Sequence, residues 1–403
     1  MKVLLSAFQC TPDRGSEPGN GWHWATALAD YGHDVTVLTT SFERDVILAS
    51  GRQGIDFRFI EIPGSPLFRV SDRFGAYDFY RRWQAAALRH MQPEARQYDV
   101  AHHVTWASLH LGSVLWRLPV PFVYGPIGGG QTFPVNYWRH FGRQLPVETV
   151  RTVFARSLLT LNRWSRETLQ NSAVTLVANS ATAAAARRLG AADVRPMMAD
   201  SLPREWLADA RLRPNGTPVV LWVGRLLPHK APVLAVEAFA GLRRTMPARL
   251  VIAGDGPLSG QVRATAQRLG IAQDVQMLGH VSWDEIKSLY DSATVFLFTS
   301  LRETFGAPFL EALGRGLPAV AVDLHGIADV DAGPAAVKVA LTPRPRDLPG
   351  RLTSALQTVL RDDEWELRST AAVKWAAERI WPEKAVAATQ IYREITRSGA
   401  GLA

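Results

Sequence analysis

At 403 residues the chain is too long for one compact core, and two domains of about 200 residues each are expected. Its 47% hydrophobic and 20% charged content is that of an ordinary globular protein, and the single cysteine, Cys10, excludes an intramolecular disulfide and points to a reducing compartment. No apolar run reaches transmembrane length, so a soluble or peripheral protein is expected; the net charge of +8 favours anionic partners, yet the cations are spread out and no nucleic-acid module is present.

The chain opens with a buried-strand pattern, KVLLSAF, and a second, VTVLTTS, follows at 35–41. Between them lie a Gly-rich turn at 12–21 and a helix at 22–32, the opening of a doubly wound nucleotide-binding domain. Gly15, Gly19 and Gly21 would let backbone approach a phosphate or sugar; the same glycines also suit a plain flexible turn. Strands are expected at 55–63 and 98–105, with PFVYGPIGGG after them. His102 and His103 should end a strand at the ligand crevice, where an imidazole can bond a sugar hydroxyl or carry a proton, or serve structure alone. Gly128 and Gly129 read as a second loop of close approach.

The stretch 138–169 is basic and apolar together, with Arg139, Arg143, Arg151, Arg156, Arg163 and Arg166 among Phe, Val, Leu and Trp. One or two amphipathic helices are expected, either an ordinary surface or a docking face for anionic lipid or a pyrophosphate-linked acceptor. VTLVANS is a strand from which Asn179 or Ser180 can cap the next helix.

A polar linker at 201–217 leads to a second domain at 218–375 that restarts the same pattern. VVLWVGRL enters a turn and a helix follows at 229–242; Arg225 and Lys230 stand at its mouth, a diphosphate clamp in which two cations face the wrong end of a helix dipole. The run 295–324 reads strand, loop, helix, strand: VFLFTS, then Pro308 suited to a first helical turn, Gly314 and Gly316 to stop the helix, and PAVAV. Glu303 falls in the loop and Glu311 in the first helical turn. Loop amides near Phe305, Gly306 and Ala307 suit a phosphate and the two glutamates suit sugar hydroxyls, which together suggest a nucleotide sugar. A plainer reading makes Glu303 a solvated loop residue and Glu311 a charge complementing the helix N-terminus. Asp329-Val330-Asp331 is formally a D-x-D, but it follows the helix rather than the first sheet and reads as chance.

The Glu303–Glu311 spacing, set in RETFGAPFLEALGRGLPAVA, resembles the E-x7-E signature of retaining GT-B glycosyltransferases of the GT4 family. VGRLLPHK resembles that family's donor-phosphate motif, with Ala231 where a glycine is more usual. The resemblance implies an α/β GT-B fold, two Rossmann-like doubly wound domains facing each other across a cleft, with an acceptor domain at 1–200 and a final helix at 376–403 crossing back to it. It implies sugar transfer from a nucleotide diphosphate sugar to a saccharide, lipid-linked or small-molecule acceptor, with no metal or cofactor. A cytoplasmic location is implied, peripheral to the inner membrane if the basic helices dock. Donor contacts are implied for Gly15, Ser16, Gly224, Arg225, Lys230, Gly254, Gly279, Glu303, Phe305, Gly306, Ala307 and Glu311. Acceptor contacts are implied for His102, His103, Gly128 and Gly129, and chemistry for Glu303, Arg225, Lys230 and His103. A non-catalytic nucleotide-sugar-binding subunit, a sugar phosphorylase and an epimerase remain as alternatives.

Overall fold

The computed structural model describes residues 1–12, 15–62, 73–153, 161–361 and 363–400. The chain packs into two compact units: Met1–Gly130, Ala155–Asp200 and Trp381–Ala403 form the first, and Gln131–Phe154 and Ser201–Ile380 the second. The 131–154 segment, read from sequence as part of the first domain, is therefore built into the second unit.

The first unit is a seven-stranded parallel sheet of order β3-β2-β1-β4-β5-β6-β7. Its strands are β1 (Lys2–Ala7), β2 (Asp34–Thr40), β3 (Ile55–Ile60), β4 (Val100–Thr105), β5 (Phe122–Ile127), β6 (Val174–Val177) and β7 (Val194–Pro196). In chain order the helices of the first 200 residues are α1 (Ser16–Asp30), α2 (Arg44–Ala49), α3 (Arg73–Met91), α4 (Leu145–Val153), α5 (Arg163–Gln170) and α6 (Ser180–Arg188), of which α4 lies in the second unit. Asn179 caps α6 by accepting from Thr182 N at 2.9 Å. Helix α1 begins six residues before the expected start, so Gly19 and Gly21 are helical rather than loop glycines. A Cβ at Gly21 would lie 2.1 Å from the Gln9 carbonyl, and glycine lets the helix pass there.

The second unit is a six-stranded parallel sheet of order β10-β9-β8-β11-β12-β13. Its strands are β8 (Val219–Val223), β9 (Arg249–Ala253), β10 (Val275–Gly279), β11 (Val295–Phe298), β12 (Ala319–Asp323) and β13 (Ala336–Ala340). Helices α7 (Pro232–Arg243), α8 (Ser259–Arg268), α9 (Trp283–Ser292), α10 (Ala307–Gly314), α11 (Leu348–Arg361) and α12 (Trp365–Ala377) connect or flank them. The last helix, α13 (Trp381–Ala400), returns to the first unit, where Trp381, Ala385, Ala388 and Tyr392 enter the core beside Trp24. No helix among the described residues is long and apolar enough to cross a membrane.

The apolar side chains of 131–154 explain its place. Phe133, Tyr137 and Phe141 are at most 4% exposed and lie in one cluster with Leu226, Ala231 and Leu234. The rings of Phe133 and Phe141 are 4.7 Å apart. The Tyr137 hydroxyl accepts from Thr342 N at 3.0 Å. Truncating a buried phenylalanine removes its burial and leaves a cavity, so Phe141→Ala should cost about 3–5 kcal/mol. Urea unfolding checks this, and an unchanged midpoint would take the segment out of that core.

Candidate active site

In a doubly wound sheet the ligand crevice lies beyond the carboxyl ends of the strands, at the point where strand order reverses. In the second unit that point lies between β8 and β11. The turn after β8 is a 3-10 helix, Pro228–Lys230, followed by Ala231 with φ 48° and ψ 52°. Lys230 therefore precedes α7 rather than starting it. This left-handed backbone is free of steric cost only for glycine, which accounts for the residue more usual in the resembling motif.

The loop after β11 is stitched to that turn. Leu301 N donates to the His229 carbonyl at 2.7 Å. Thr299 Oγ1 lies 2.9 Å from the Lys230 carbonyl and 3.0 Å from that of Ala231, while accepting from Trp222 Nε1 at 2.9 Å. Two residues on from Leu301, Glu303 meets Lys230 in an ion pair whose side chains are 22% and 19% exposed. Two residues expected at the site are thus brought together, and Arg225 stands exposed on the same turn.

Gly224, Gly254 and Gly279 follow or end the neighbouring strands β8, β9 and β10. Gly254 N donates to the Gly279 carbonyl at 2.7 Å, and a Cβ on Gly254, whose φ is 132°, would lie 2.0 Å from the Gly224 carbonyl. Only glycine permits this approach of three chain segments. Gly306, with φ 116°, caps α10, and Phe305 beside it is 1% exposed.

Glu311 departs from expectation. Helix α10 starts at Ala307, so Glu311 lies beyond its first turn. Its side chain is 9% exposed and accepts from the buried Tyr290 hydroxyl at 2.8 Å.

The first unit also reverses strand order, between β1 and β4, and here the histidine expectation is corrected. His102 and His103 lie inside β4, not at its end, and both are 0% exposed. His102 donates from Nε2 to the Gly125 carbonyl at 2.8 Å, and Nδ1 accepts from the Tyr392 hydroxyl at 2.6 Å. The Tyr80 hydroxyl donates to the Gly112 carbonyl, so His103 donates to it from Nε2 at 2.8 Å and accepts from Ser6 at Nδ1. These tautomers follow from what each partner can offer. Burial lowers both pKa values to about 3, which keeps both rings neutral. Neither ring is open to an acceptor or positioned for proton transfer; the two tie the sheet to α13 and α3. Gly128 is partly exposed, while Gly129, with φ 110°, packs against the His110 ring. Gly15 is extended and caps α1, which Ser16 opens.

The sequence reading passed over Glu17, in the first turn of α1. Its carboxylate accepts from Trp106 N at 3.0 Å, just after β4. Surrounding protein and then Asp200 push it up to about 7, although part of the side chain is open to solvent. Of the basic stretch, Arg139 is exposed beside Trp138 and Arg163 pairs with Glu167. Arg156 and the side chains of Arg143 and Arg151 lie outside the described residues.

Residues 204–363, which hold the whole Lys230–Glu303 arrangement, match the family of glycosyl transferases group 1. The chain is 28% identical over 352 residues to a 2-deoxystreptamine glucosyltransferase of Streptomyces kanamyceticus, spanning 83% of this chain and 86% of the relative. The fold is that of sucrose-phosphate synthase from Thermosynechococcus elongatus, with a TM-score of 0.70 at 17% identity, covering 98% of this chain and 99% of the synthase. It is also that of Anabaena Alr3699/HepE in complex with UDP, with a TM-score of 0.59 at 15% identity, covering 96% and 99%.

The buried histidines carry a pH consequence. Their folded pKa values lie below the unfolded value, so the unfolded chain binds more protons between about 6.5 and about 3 and stability falls as pH drops through that window. Each contributes a slope of at most ~1.4 kcal/mol per pH unit. Urea unfolding between about pH 6.5 and about pH 5 should lose His103's own share of this slope in His103→Gln, up to ~1.4 kcal/mol per pH unit. An undiminished slope in the variant would show that His103 is not its source.

Proposed function

We propose that the enzyme transfers a glycosyl group from a nucleoside diphosphate sugar to an acceptor hydroxyl, with retention at the anomeric carbon. The observation that carries this reading is the Lys230–Glu303 pair at the strand-order reversal of the second sheet, inside the family-matched region. Lys230 and Arg225 offset charge on the departing diphosphate, which costs least when the cations are already in place. Glu303 accepts from a hydroxyl of the donor sugar, and its negative charge favours positive charge developing at the anomeric carbon. The departing phosphate then takes the proton of the incoming hydroxyl on the same face. Tyr290 orients Glu311 toward the nucleotide ribose.

Among the described residues no group of three or more His, Cys, Asp or Glu is placed to hold a metal ion, and the reading assigns charge stabilisation to the two cations. The relative named a glucosyltransferase supports glycosyl transfer, and the Anabaena protein of the same fold is found in complex with UDP. The acceptor is left at the level of a hydroxyl compound.

Screening nucleoside diphosphate sugars by thermal shift identifies the donor, because a ligand at about 100 times its Kd adds about 2.7 kcal/mol. Lys230→Ala should weaken nucleoside diphosphate binding and leave nucleoside binding nearly intact; unchanged turnover removes the clamp.

The two glutamates separate kinetically. Glu303→Gln should lower kcat on the order of 100-fold, because its contact strengthens in the transition state. Glu311→Gln should mainly raise the donor KM, since a ribose contact is equal in both states. The reverse pattern would exchange the two assignments.

A further inference from the structure

The 131–154 segment reaches the loop that carries Glu303 directly at two points and, through the His325–Gly326 turn, at a third. Glu148, on α4, accepts from Arg302 Nε and Nη2 at 2.9 Å each, and the two side chains are 8% and 9% exposed. Gln131 Nε2 donates to Thr304 Oγ1 at 2.9 Å. The Thr132 backbone bonds His325, itself in a left-handed conformation with φ 53°, and the next residue, Gly326, is so close that a Cβ there would lie 2.3 Å from the Thr304 carbonyl. Arg302 and Thr304 flank Glu303 directly. The 3-10 segment Val135–Gln144 also packs against the Pro228–Lys230 turn. Both partners of the Lys230–Glu303 pair thus rest on this one segment.

Helix α4 is built against the usual rule. It buries Glu148 and Thr152 while Val147 and Val150 are 59% and 69% exposed. The Glu148–Arg302 ion pair lies on the buried side of the helix, and Leu145 packs against the core at its start. A buried ion pair is a poor source of net stability, because desolvation offsets much of the attraction. Its two parallel hydrogen bonds do fix distance and plane together, which a single contact does not.

We infer that Glu148 is a positioning residue: through Arg302 it holds Glu303 opposite Lys230, and the 131–154 segment is a brace for the donor-sugar site. The inference rests on the glycosyl-transfer reading for its kinetic consequence, and on geometry alone for its mechanical one.

Removing Glu148 alone would leave a buried guanidinium unpaired and could unfold the protein for that reason. The test is therefore the double replacement Glu148→Leu with Arg302→Met, which should keep Tm nearly unchanged. Its kcat should fall on the order of 100-fold with donor KM little changed, since a misplacement of about 1 Å has that effect. Hydrogen exchange at the amides of 299–306 should quicken about tenfold, while those of 295–298, inside β11, keep their rate. Arg302→Lys, which keeps the charge and loses the fork, should fall between the double variant and the parent in kcat at the parent's Tm. A full kcat, or an unchanged exchange rate at 299–306, overturns the brace. If the parent turns over no nucleotide sugar, the glycosyl-transfer reading fails and the exchange measurement alone decides.

Discussion

One lysine and one glutamate from loops about seventy residues apart meet where the second sheet reverses its strand order, and their meeting depends on backbone more than on charge. Thr299 bonds the carbonyls of Lys230 and Ala231, and Leu301 bonds that of His229, so the turn after β8 and the loop after β11 are tied together by backbone. Each charge gives the other a partner in a place too enclosed to leave one alone. In the proposed reaction a diphosphate would compete for the lysine and a sugar hydroxyl would take up the glutamate, so that the donor meets preformed groups instead of ordering them.

The surrounding structure tightens around that point. Three glycine-bearing strand ends come into backbone contact, Phe305 is buried behind the loop, and Arg302 is clamped from below by Glu148. The apolar face of 131–154 supplies the adhesion and its polar residues supply the register. This division of labour is common where a site must be held to a fraction of an ångström by groups that never touch the substrate.

Strands β1, β2, β4, β8, β11 and β12 were legible because parallel strands buried on both faces read as continuous apolar runs, and the turns between them carry glycine or proline. The edge strands β7 and β13 were not: short, half-exposed and without periodicity, they take their shape from a neighbour. Lys230 and Glu303 were singled out by the resemblance of their two motifs, and the fold brings the pair together. His102 and His103 misled. Their type and position fit a site, but whether an imidazole faces solvent is decided by Tyr80 and Tyr392, on helices α3 and α13, which the local sequence does not mention. Glu17 and Glu148 were missed alike, since their partners Trp106 and Arg302 lie 89 and 154 residues away.

Because the chain leaves the second unit's own sequence span to borrow residues 131–154, the family-matched stretch is not a module that could be cut out intact. A fragment beginning at Ser201 would carry Glu303 and the Pro228–Lys230 turn, yet would bare the surface that Phe133, Tyr137 and Phe141 cover. It would also take away Glu148, the partner of Arg302. In evolutionary terms, the two halves of such a chain are not freely exchangeable: a second unit transplanted onto another first unit must bring its borrowed segment along.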